Sequence, residues 1–147
     1  MKIALGSDHA GFALKEAVKK HLLEEGYEVL DEGTFNEDRC DYPDFAVKAA
    51  KDVVAGKASF GVLCCGTGEG ISIAANKVRG IRCGIGYDLE VTRLCRQHND
   101  ANMIAFGARF MKEEDVLKRV DAFLTTSFEG GRHAERVTKI TNLDRHE

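Results

Sequence analysis

The stretch Phe60-Gly61-Val62-Leu63-Cys64-Cys65-Gly66-Thr67-Gly68-Glu69-Gly70 decides how the rest of the chain is read. Its first six residues form a short apolar run, as expected of a strand covered on both faces within a parallel sheet. The alternating glycines that follow make a turn, and Ile71 to Lys77 then reads as a short helix whose free amides point back at that turn. Cys65 is thereby placed at the carboxyl end of the strand, beside backbone donors suited to an oxyanion or phosphate. A tight connection without chemistry has the same glycine pattern.

Known loops test the spacing. A Walker loop ends in Gly-Lys-Ser/Thr, which this turn lacks. A dinucleotide fingerprint needs Gly-x-Gly-x-x-Gly, whereas Gly66, Gly68 and Gly70 alternate, and Asp88 alone is weak support for a ribose-binding carboxylate. A cysteine phosphatase loop places an arginine where this chain has Ile71. The turn thus reads as an anion site that uses backbone donors and draws its cations from elsewhere.

Outward from this centre, apolar runs alternate with amphipathic segments, the rhythm of a doubly wound α/β domain. Strands are expected at Lys2 to Ser7, Tyr27 to Asp31, Phe60 to Cys65, Ile81 to Ile85 and Asn102 to Phe106. A first helix over Phe12 to Glu25 places Leu14, Val18, His21 and Leu22 on one face and ends at Gly26. Phe45, Ala46, Ala49, Ala50, Val53 and Val54 stripe a second helix closed by Gly56. Leu89 to Gln97 and Met111 to Leu124 are further helices. The charged tail forms a last one over about 132–142, whose Val137 and Ile140 need a surface to lie on, which a partner subunit would supply.

The 147 residues fit one domain, 1–147, with a single core. Apolar content of 44%, charged content of 31% and a net charge of −3 describe a soluble protein and give no reason to expect nucleic acid or a membrane. The five cysteines lack zinc-ligand spacing and no apolar leader precedes the first strand, so a reducing, cytoplasmic setting is expected. Neighbours on a strand, Cys64 and Cys65 should point to opposite faces.

Other candidate groups cluster in three places. Asp8-His9 follows the first strand directly, at the rim that Cys65 occupies, although either residue could simply cap the first helix. Arg96-Gln97-His98-Asn99-Asp100 closes a helix, where a histidine also suits the dipole and Asn99 suits a left-handed cap. Arg132 and Arg136 share a face of the last helix and could grip one phosphate, or form a solvated face countered by Glu135. Arg109 adds a cation beyond the fifth strand. A thiol, two histidines, an aspartate, backbone donors and arginines together suggest proton transfer on a phosphorylated substrate. Aldose–ketose isomerisation is one such reaction, needing a base for the carbon proton, donors for the enediolate and an acid/base for ring opening.

Five segments, Ser7-Asp8-His9-Ala10-Gly11, Asp41-Tyr42-Pro43, Cys65 to Ser72, Arg96 to Asn102 and Gly130-Gly131-Arg132-His133, resemble in order and spacing the type B ribose-5-phosphate isomerases. The resemblance covers nearly the whole chain. Galactose-6-phosphate isomerase subunits share the Cys-Gly-Thr-Gly turn but tend to lack the His-Asn pair and the Gly-Gly-Arg-His segment. The resemblance implies a three-layer α/β/α, Rossmann-like domain with a five-stranded parallel sheet. It further implies a homodimer or dimer of dimers with shared active sites, and catalysis without cofactor or metal.

By position, the resemblance makes Cys65 the base, with the Thr67 hydroxyl and the amides of Gly66, Thr67, Gly68, Glu69 and Gly70 holding the enediolate. His98, helped by Asp8, would open the sugar ring. His9, Arg132 and Arg136 would bind phosphate, while Asp8, Tyr42, Asn99 and Arg109 would hold the sugar, some of these groups arriving from the neighbouring subunit. A second branch of the family places a glutamate base at the position of Ile71, so this chain falls in the cysteine branch. Proton abstraction needs the thiolate, which helix-terminal amides are expected to favour. The Glu69 side chain is expected to face solvent. The glycines in Cys83-Gly84-Ile85-Gly86-Tyr87 depart from the family pattern and keep open a hexose-6-phosphate isomerase, acting on allose or galactose 6-phosphate. Because fold alone does not give function, a non-catalytic sugar-phosphate-binding module is the second alternative.

Overall fold

A computed structural model describes residues 1–145. The elements run β1 (Lys2–Ser7), α1 (Phe12–Glu24), β2 (Glu28–Asp31), α2 (Tyr42–Val54), β3 (Phe60–Cys65), α3 (Glu69–Asn76), β4 (Cys83–Ile85), α4 (Leu89–Gln97), β5 (Met103–Gly107), α5 (Glu113–Thr125) and α6 (Arg132–Leu143). All strand pairings are parallel, in the order β2-β1-β3-β5-β4. The chain leaves β1 towards β2 and returns to β3 on the other side, so the crevice at the carboxyl ends of β1 and β3 is a topological switch point. Asp8 and Cys65 flank it, and the Asp8 amide donates to the Cys64 carbonyl at 3.3 Å.

Strand alternation builds a core on each face of the sheet. Ile3, Leu5, Val62, Cys64, Ile104 and Phe106 pack with Leu14 and Val18 of α1 and with Val116 and Val120 of α5. On the other side Ala4, Leu63, Cys65, Met103 and Ala105 meet Ala46, Ala49 and Ala50 of α2 and Ile71 and Ala75 of α3. The expected three-layer α/β/α arrangement is therefore present, with Cys64 and Cys65 in different layers. The alanine stripe lets α2 lie close to β1 and β3; a larger side chain there would overpack the layer at a cost of about 1–3 kcal/mol.

One helix face differs from its sequence pattern. His21 lies at the periphery of α1, where its Nε2 is 2.8 Å from Asp121 Oδ1 on α5. The fully buried side chain is instead Lys15, whose ammonium donates to Asp31 at 2.7 and 2.8 Å and to Glu16 at 2.9 Å. Hydrophobic periodicity misses it because an ion pair, rather than apolar surface, compensates the burial. Burial pushes the Asp31 carboxyl up, but hydrogen bonds from Lys15 and the Gly33 amide outweigh it and hold the group below its ordinary value.

Helix α6 contributes only His133 to the buried residues. Ile140 and Leu143 are exposed, and Val137 is half-buried. The C-cap Asp144 ties the helix end to the turn between α3 and β4 by accepting the Gly80 amide at 2.8 Å.

Candidate active site

Cys65 ends β3 with its thiol buried, 4% of the residue being exposed. Gly68, at φ 84°, turns its N–H onto Cys65 Sγ at 3.2 Å. Only glycine takes this backbone readily, and a Cβ there would also press on the Phe106–Gly107 peptide at 3.0 Å. Helix α3 starts two residues earlier than the apolar pattern suggests, at Glu69, because this left-handed glycine is already its N-cap. The Glu69 amide is occupied by Thr67 Oγ1 at 3.1 Å, and both side chains face solvent. The Thr67 hydroxyl hydrogen thus remains available to a ligand.

Four other groups reach the same rim. Asp8 is buried and accepts the Gly11 amide through Oδ1 at 3.0 Å, which fixes its carboxylate at the crevice. The Cys40 amide donates to His9 Nδ1 at 3.3 Å, leaving Nε2 to carry the proton. Tyr42, the first residue of α2, lies over Gly70: a Cβ on that glycine would fall 2.6 Å from Tyr42 Cζ. The Arg109 amide donates to the Gly66 carbonyl at 3.1 Å, and its guanidinium lies so near Gly66 that a Cβ would be 2.9 Å from Nη1. Cys65, Asp8, His9, Tyr42, the turn Gly66 to Gly70 and Arg109 therefore form one group at the carboxyl edge of the sheet.

The remaining candidates form a second group at the opposite edge. Helix α4 runs back from the end of β4 to the start of β5, and His98 is its C-cap, so His98 and Asn99 lie near the amino ends of the strands. Helix α5 makes the same return, and the Glu129 amide just beyond it donates to the Gln97 carbonyl at 3.0 Å. The His98 and His133 rings stack at 4.1 Å and 12°. Arg132 and Arg136 continue from here along α6. The expected assistance of His98 by Asp8 is consequently absent within one chain, since the sheet separates them. Asp100, at φ 47°, takes the left-handed position considered for Asn99. Asn99 instead lines a cavity of ≈ 460 Å³ beside β4, together with Cys83, Cys95, Ile140 and Leu143.

Two members of this second group were not singled out by sequence reading. Glu129 Oε1 stands 3.8 Å from both His98 Nε2 and His133 Nε2. Burial, then the neighbouring His98 and Arg132, hold the His133 imidazole below its ordinary pKa. The four-residue spacing of Glu129 and His133 was a visible signal, but their third member lies on another helix.

A parallel α/β domain with a thiol, an aspartate and a glycine turn at its switch point belongs to the class that binds small anionic ligands at the carboxyl edge. The description Ribose/Galactose Isomerase matches residues 3–140. Ribose-5-phosphate isomerase B of Escherichia coli K12 is 48% identical over 143 residues, spanning 97% of this chain and 96% of that protein. A crystal structure of a ribose 5-phosphate isomerase from Thermotoga maritima superposes with a TM-score of 0.94 at 48% identity, covering 96% of this chain and 97% of the other. Ribose-5-phosphate isomerase B from Mycoplasma genitalium, with bound ribulose-5-phosphate, gives a TM-score of 0.94 at 37% identity, covering 99% and 97%. This chain belongs to the ribose/galactose isomerase family.

Proposed function

We propose that this chain is an aldose–ketose isomerase interconverting D-ribose 5-phosphate and D-ribulose 5-phosphate. The observation that carries the reading is Cys65 Sγ at the switch point, held by the Gly68 amide within a turn of backbone donors. Its resemblance to proteins named for this reaction, over almost its full length, supports the substrate.

Ring opening requires a proton delivered to the ring oxygen and another removed from the anomeric hydroxyl, which we assign to His98 and Asp8. The Cys65 thiolate then takes the C2 proton of the open aldose and returns it to C1. Between these steps the enediolate oxygens face the glycine turn and the Thr67 hydroxyl. Arg109, Arg132 and Arg136 neutralise the phosphate, His9 donates to it through Nε2–H, and Tyr42 and Asn99 hold the sugar.

This chemistry needs the two edges of the sheet to meet, and a two-fold homodimer is the arrangement we assign, each site pairing the Cys65 edge of one protomer with the His98 edge of its partner. The exposed Ile140 and Leu143 on α6 support a covering subunit, which a dimer or a dimer of dimers would supply. A cytoplasmic location agrees with cysteines that are all free, and among the described residues no helix is long and apolar enough to cross a membrane.

The test is a coupled assay of the protein and its Cys65→Ala variant against ribose 5-phosphate, allose 6-phosphate and galactose 6-phosphate. Turnover of the pentose, lost by at least about 1000-fold in the variant, is expected. Preferred turnover of a hexose phosphate would reassign the substrate, and near-normal turnover by the variant would remove Cys65 as the base.

A further inference from the structure

The His98–Glu129–His133 cluster has a geometry that hydrogen bonding does not account for. At 3.8 Å, Glu129 Oε1 is too far from either imidazole nitrogen for a hydrogen bond, yet equidistant from both. The candidate ligand atoms of the three residues all lie within 4.8 Å of one another. A tetrahedral zinc ion with bonds of about 2.0–2.2 Å separates its ligand atoms by roughly 3.3–3.6 Å, so the cluster is slightly expanded from such a site.

We propose that His98, Glu129 and His133 form a binding site for one borderline-soft divalent cation such as Zn²⁺. Two imidazoles and one carboxylate are a frequent zinc set with a fourth position open to water. Stacked rings do not aim both lone pairs at one point, so binding needs one imidazole to turn. His98, with 36% of its side chain exposed, has the room, whereas His133, at 9%, is the fixed ligand. Arg132 and Arg136, whose charges act on His133, oppose a cation electrostatically. The charge of Glu129 offsets part of this, and coordination supplies the rest. Metal bound here holds the imidazole assigned above to ring opening, making the site inhibitory; this consequence, unlike the site itself, rests on the proposed role of His98.

The experiment is calorimetric titration of the full chain with Zn²⁺ in a Cys65→Ala background, which removes the rim thiolate as a competing ligand. One ion per chain is expected, with affinity falling about 10-fold or more on adding either Glu129→Gln or His133→Gln. Glu129 is exposed, so its variant reports on the site even where replacement of the buried His133 disturbs folding. Absence of binding, or binding indifferent to both substitutions, overturns the proposal. Zn²⁺ inhibition of the enzyme with native Cys65, reversed by chelator and weakened by Glu129→Gln, is expected alongside. Binding at this cluster with full turnover of ribose 5-phosphate would leave the metal site standing and remove His98 from ring opening.

Discussion

Arg96 Nη1 lies 2.8 Å from Asp100 Oδ1, an i,i+4 ion pair that closes over Gln97, His98 and Asn99. The same guanidinium donates to the carbonyls of Thr126 and Ala101 and lies over the rings of Phe60 and Phe123. The end of α4 is thus bolted to β3, β5 and the end of α5, and the position of His98 follows from this bolt. Lysine cannot reproduce the planar fork. Arg96→Lys is expected to destabilise the protein by about 2 kcal/mol and to lower kcat with it. A denaturant midpoint within error of the parent would show that the clasp is dispensable.

Complementation tests the shared site directly. Cys65→Ala and His98→Asn chains are each expected to be inactive as homodimers. Co-expressed with different tags and purified through both, they form a heterodimer in which one of two sites is intact, with about half the parental activity. A doubly tagged complex without activity would place both residues in one protomer's site. Failure to obtain the complex would count against the dimer.

Glu32 supplies a pH signature. A hydrogen bond with the buried Asp52, then burial, raises the Glu32 carboxyl to about 7 from an ordinary 4.5, against opposition from Lys48 and Lys57. The folded state holds this proton more tightly than the unfolded one, so its stabilisation is complete below the ordinary value and is lost as pH rises through 7. Glu32→Gln keeps a donor and removes the titration. A Tm gain of about 2–4 °C over the parent is expected at pH 8, shrinking as pH falls and vanishing below the ordinary 4.5. Parallel Tm–pH curves for the two proteins would contradict the assignment.

At the buried Lys15–Asp31 pair, removing one charge strands the other. Asp31→Asn is expected to cost about 3 kcal/mol in urea unfolding, with the m-value unchanged. A loss below about 1 kcal/mol would show that Glu16 alone satisfies the ammonium.

Local signals on the chain carried much of this. Strand β3 and the glycine turn were legible because a buried parallel strand and a left-handed N-cap both leave residue-level marks, and Gly26 and Gly56 marked the ends of α1 and α2. The insertion of β5 between β3 and β4 left no such mark, because strand order depends on which helices cross which face. Lys15 was hidden because its partner is sixteen residues away. The same applies to the candidate site. Spacing brought Cys65, Thr67 and Gly68 together, but that His98 lies at the far edge from Asp8 follows only from the direction in which α4 runs.

The alternation of β3 also bears on oxidation. Cys64 and Cys65 are consecutive, yet one sulfur lies in the layer of α1 and α5 and the other in the layer of α2 and α3. Burial pushes the Cys64 thiol well above its ordinary pKa, keeping it protonated. Should Cys65 be oxidised to a sulfenic acid, Cys64 cannot act as its resolving thiol, because it is un-ionised and on the wrong side of the sheet. The two sulfurs adjacent in sequence are thereby prevented from forming a redox couple, and recovery of an oxidised Cys65 depends on a thiol that can approach the rim.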